Sequence, residues 1–251
     1  MNPVLLFLQY LDGLVVGGVT AGAQAALTQV VFFPLTWTGP AVRLLTWSRD
    51  LAGGAMGGAL VVAAITAVWP GLMRHAPSGP WSAILVRAAL GAVVMGALPS
   101  FMTLLLTLNN TVLAALLQGS AAGAVHWSAG ALLLSPLLAL GLVGVLAGLV
   151  LYLSLWFVVR SVYVYWLAAW LPWAALGFVA TGDPAVLWRP FRRLLAMVLV
   201  QTAQAAGWWI TVRLVMEAAS FGGLLVAAGG LWFLTRIPNE VARLGGERTL
   251  W

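Results

Sequence analysis

Cysteine and lysine are both missing from this chain of 251 residues, and acids are scarce: twelve arginines face six Asp and Glu. Without cysteine there is neither a disulfide nor a thiolate metal site. Without lysine there is no G-x-x-x-x-G-K-[ST] nucleotide loop. His75 and His126 are far apart and have no acid or thiol beside them, which argues against a metal centre. No nucleophile, base and acid stand in a recognisable arrangement. The sequence therefore predicts no catalytic residues, no cofactor and no metal.

Charge of any sign is rare, at 7% of residues against 63% hydrophobic. A soluble domain carries about 25%, so these side chains cannot cover a water-facing surface. From Ala88 to Val159 there is no ionisable Asp, Glu, Lys or Arg, and a helix needs only about 20 apolar residues to cross hydrocarbon. In lipid the backbone must satisfy its own hydrogen bonds, which leaves helices or closed barrels. Barrel strands alternate apolar and polar, whereas Leu137 to Val150 is apolar on every face. The fold class expected is an all-α polytopic integral membrane protein.

About six transmembrane helices follow from the hydropathy pattern: Leu51 to Met73, Ser82 to Leu108 with Pro99 as a kink, Ala129 to Val159, Ser161 to Ala180, Leu194 to Arg213, and Ser220 to Leu234. Ahead of them, Pro3 to Thr38 is apolar but interrupted by Gln9, Asp12, Gln24 and Gln29, which fits an amphipathic or membrane-embedded helix. Met1 to Leu14 lacks the positive start of a signal peptide, so an uncleaved N-terminus is expected despite the small residues Thr20 to Ala23. Arg43, Arg49 and Asp50 form a polar connector, and Asn109 to Ser128 is expected to be a loop with a short interfacial or re-entrant helix. The resulting division is 1–50, a membrane domain 51–236, and a short polar tail 237–251.

Six spans place Arg43, Arg49, Arg189, Arg192, Arg193, Arg236, Arg243 and Arg248 on one side, and Arg74, Arg87, Arg160 and Arg213 on the other. The richer side, with the C-terminus, is expected to be cytoplasmic.

Four residue groups stand out. Gln201, Gln204, Trp208 and Thr211 share one helical face, so this polar stripe must meet other helices or line a water-filled pore. Arg213 and Glu217 are spaced to form an ion pair. Arg189, Arg192 and Arg193, interleaved with Trp188 and Phe191, read as an interface anchor or a docking site for a cytoplasmic partner. Gly53 and Gly57, and Gly144 and Gly148, have the spacing that lets two helix backbones approach closely, within the chain or between copies.

The order of features in the second half resembles the conjugal transfer protein TrbL family, the polytopic inner-membrane component of bacterial type IV secretion systems. Four stretches carry the resemblance: Leu106 to Leu113 with its Asn109-Asn110 pair; Leu151 to Pro172 with Arg160 ahead of a long apolar run; Trp188 to Gln204 with Trp-x-x-Phe-Arg-Arg-Leu-Leu and Val-Gln-x-x-Gln; and Arg236-Ile237-Pro238 followed by Arg243-Leu244. The residues before Leu51 depart from the pattern. The resemblance implies a non-enzymatic channel or platform subunit in the inner membrane, present as several copies. Its partners would be the secretion ATPases and pilin-like subunits, and it would take part in DNA or protein transfer or pilus assembly. Direct sequence-specific contact with nucleic acid is not expected. Two other readings stay open: a small-solute transporter or ion channel with a polar cavity near Gln201 and Gln204, and a membrane anchor for an enzyme complex.

Overall fold

The computed structural model describes residue 10 and residues 32–37, 39–69, 81–121, 136–217 and 221–244. Regular structure among them is helical: α1 (Gly39–Gly54), α2 (Met56–Val68), α3 (Trp81–Ala121), α4 (Pro136–Thr181), α5 (Pro184–Glu217) and α6 (Phe221–Leu244). Three of these contain stretches long and apolar enough to cross a membrane: Trp81–Gln118, Gly144–Thr181 and Pro184–Leu214.

The turn between α4 and α5 shows how locally the boundaries are written. Gly182 takes φ 73°, a backbone shape costly for any residue with a Cβ, and its N–H closes the end of α4 on the Phe178 carbonyl at 2.8 Å. Asp183 then caps α5, its Oδ1 accepting the Ala185 N–H at 2.9 Å. Pro184 takes the first helical position, where its missing N–H costs nothing.

The chain divides into two compact units, one of Met1–Pro34, Asn109–Arg160 and Leu199–Trp251, the other of Leu35–Leu108 and Ser161–Val198. In the first unit the core is built from Phe32, Leu113, Leu146, Val150, Leu153, Ala205, Ala227, Leu231, Leu234 and Ile237. Here α5 and α6 press together at two glycines. A Cβ on Gly207 would stand 2.8 Å from Leu234 Cδ2, and one on Gly230 would run into the Thr211 side chain. Such close approach gains dispersion contacts between the two helices that a Cβ at either glycine would prevent.

The second unit contains α1 and α2. Its core joins Ala52, Met95 and Ala175, with Met56 and Trp173 packed against them. Gly91 admits Val179, whose Cγ2 lies only 2.6 Å from where a Cβ would be, and Gly177 admits Val186. Polar contacts fasten the start of the unit to α4: the Tyr165 hydroxyl donates to the Thr36 carbonyl at 2.7 Å, and Ser48 Oγ donates to the Ala169 carbonyl.

Several sequence expectations are corrected. Asn109 to Ser128 is not a loop where it is described: α3 runs unbroken to Ala121. No Gly or Pro interrupts it between Pro99 and Gly119, and Asn109 finds partners inside the protein. The third and fourth spans are a single helix, α4, passing straight through Arg160. Arg43, Arg49 and Asp50 belong to α1 instead of a connector, and the span from Leu51 divides between α1 and α2 at Ala55. Arg236 lies within α6, which extends to Leu244. Asp12, Thr20 to Ala23, Arg74, His75, His126, Glu247 and Arg248 lie outside the described residues.

Candidate functional site

Gln201 is the centre of a polar cluster in the first unit. Its position in α5 places it on the face that also carries Gln204 and Thr211, and all three are buried. An amide in such a place needs its donors and its acceptor matched, because an unmet buried polar group costs about 1–3 kcal/mol. Both ends of Gln201 are met. Its Oε1 accepts from Asn109 Nδ2 at 3.2 Å and from Arg160 Nη2 at 3.3 Å. Its Nε2 donates to the carbonyl of Phe33 at 2.9 Å. The Asn109 oxygen in turn accepts from the Thr202 hydroxyl at 2.7 Å. One side chain thus ties α3, α4 and the segment before α1 to α5.

Arg160 is fully buried. Its guanidinium lies 5.5 Å from the centre of the Phe157 ring, one turn earlier on α4, and the bond to Gln201 is strengthened by the charge it carries. From hydropathy alone Arg160 marks the boundary between two spans. A different signal is in the sequence: no Gly, Pro or further charge stands between Gly148 and Pro172 on either side of Arg160, which describes a helix interior. Asn109 likewise sits inside α3, where the sequence predicts a loop.

Gln204 serves a second junction. Pro238 has no N–H to offer the Leu234 carbonyl one turn before it in α6. Gln204 Nε2 supplies the missing donor at 3.2 Å. Thr211 bonds back to the Gly207 carbonyl at 2.8 Å and fills the space beside Gly230. Trp208, on the same face, packs against Phe32 with ring centres 6.4 Å apart. The polar stripe is therefore an interhelical contact surface, satisfied by the chain itself.

The remaining expected residues are elsewhere. Arg213 is exposed and lies 5.3 Å over the Trp209 ring; α5 extends through Glu217, whose side chain is outside the described residues. Gly53, Gly57, Gly144 and Gly148 are each open, a Cβ there meeting no atom within 4 Å among the described residues. The close helix contacts among the described residues use Gly91, Gly177, Gly207 and Gly230. Arg189, Arg192 and Arg193 lie on α5 in the second unit. Comparison with protein-family models, curated proteins and solved structures finds no match.

Proposed function

We propose that this chain is a TrbL-like inner-membrane subunit of a type IV secretion system, a non-enzymatic channel or platform component present in several copies. One observation supports this reading above the rest. The stretches that carry the resemblance are far apart in sequence, yet their polar residues meet. Asn109, Arg160 and Gln201 converge in one cluster, and Gln204 reaches the Leu234 carbonyl freed by the proline of Arg236-Ile237-Pro238. Matching residues with a shared structural task are a better basis for kinship than matching residues in apolar filler.

The membrane orientation we propose rests on the helix bounds read together with the arginines. α2, with 13 residues, is shorter than the roughly 20 needed to cross. A fourth crossing by α6, the Ser220 to Leu234 span expected from the sequence, added to α3, α4 and α5, would put Arg43, Arg49, Arg74, Arg87, Arg189, Arg192, Arg193, Arg236, Arg243 and Arg248 on one side. Arg213 alone is on the other, and Arg160 is buried within a helix. Such an imbalance marks the first side, with both ends of the helical region, as cytoplasmic.

Complementation tests the function. Expressed in a conjugative strain that lacks its own TrbL-like subunit, the chain restores transfer. Normal membrane insertion without any transfer in that setting would overturn the proposal. For the orientation, green fluorescent protein fused after Trp251 fluoresces and alkaline phosphatase fused after Ser128 is active; the reverse pattern excludes it.

A further inference from the structure

Three cationic side chains within five residues of α5 have no role in the polar cluster. Arg189, Arg192 and Arg193 lie on adjoining faces of the helix together with Trp188, which is 56% exposed. The described acids are engaged elsewhere: Asp183 caps α5, Asp50 pairs with Arg49, and Glu240 pairs with Arg243. Neither Arg189 nor Arg192 has a hydrogen-bond or ion-pair partner among the described residues, and Nε of Arg192 is buried with none. The segment is nevertheless held firmly. Phe191 stacks on Trp188 at 5.6 Å and packs on Phe101 of α3 at 5.3 Å.

We infer that this segment is a binding site for the headgroup of an anionic phospholipid, its phosphate held by Arg189 and Arg192 and its glycerol region lying against Trp188. Guanidinium matches phosphate oxygens with two parallel hydrogen bonds, so fixed arginines select such a group in a way a diffuse positive patch does not. The surroundings choose lipid over an acidic protein. The α5 helix that carries these arginines is apolar enough to cross a membrane over Pro184–Leu214, which sets acyl chains along it, and the exposed Trp188 favours headgroup depth. Arginine at that depth attracts anionic lipid most strongly on the cytoplasmic leaflet. This inference does not depend on the secretion reading.

Native mass spectrometry of the purified full chain in detergent, with dioleoyl phosphatidylglycerol or dioleoyl phosphatidylcholine added, tests it. Phosphatidylglycerol is retained in preference. R189Q lowers that retention about fivefold and R189Q/R192Q about 25-fold, following the usual contribution of one arginine at a membrane surface. R49Q, which removes an arginine already paired with Asp50, leaves it unchanged. Equal retention by wild type and R189Q/R192Q overturns the inference. So does binding of soluble glycerophosphate as tight as that of the lipid, or displacement of the lipid by an acidic peptide. Should the double variant fail to fold, R189Q decides alone, since its exposed side chain has no described contact to lose.

Discussion

At the scale of single residues, Gln201 is the position whose loss the protein feels most. An interhelical hydrogen bond in a membrane is worth roughly 0.6 kcal/mol on average, but removing Gln201 leaves three groups short of a partner, one of them charged. Gln201→Leu should therefore destabilise the folded chain by about 1–3 kcal/mol, measured by unfolding in mixed micelles. Adding Asn109→Leu should cost less than the two single losses summed, because one of the orphaned donors disappears with it. Strict additivity would show that the two do not share a bond. Helical spacing was enough to show that Gln201, Gln204 and Thr211 share a face. It could not show that Arg160 lies opposite them, because a lone arginine in an apolar chain looks the same at a span end as at a buried crossing point. Only the partner, 41 positions away, distinguishes the two.

At the scale of helices, the prolines and glycines explain which contacts form. Pro238 leaves the Leu234 carbonyl without its helical donor, and Gln204 makes up the loss. In Pro238→Ala the helix supplies that donor itself. Gln204→Leu, expected to cost about 1 kcal/mol in the native chain, should then cost little, and the non-additivity in a double-mutant cycle measures this exchange. Gly230→Val should force α5 and α6 apart against Thr211, at about 1–3 kcal/mol; a wild-type melting profile would contradict the packing described. The helical class and the apolar segments were legible from composition. Helix junctions were not, since runs without charge, Gly or Pro do not say where one helix should end. The signals that do terminate α4, Thr181-Gly182-Asp183-Pro184, are local and explicit.

At the scale of the whole molecule, the open glycines separate intramolecular from intermolecular packing. Gly144→Leu and Gly148→Leu should leave the stability of a single copy unchanged or slightly raised, since leucine favours helix by up to about 1 kcal/mol. If copies associate through that surface, as a multi-copy platform requires of some surface, the same variants lower chemical cross-linking between copies in native membranes. Unaltered cross-linking assigns the association to another face. α4 raises a separate matter of seating. At 46 residues it has more than twice the roughly 20 that a crossing of hydrocarbon takes. A helix matched to its bilayer answers thinner lipid by tilting; one this long has length to spare at the rims and need only change which turns are wet. Spin labels along α4 in short-chain and long-chain lipid should accordingly report a moving waterline on an unmoved helix.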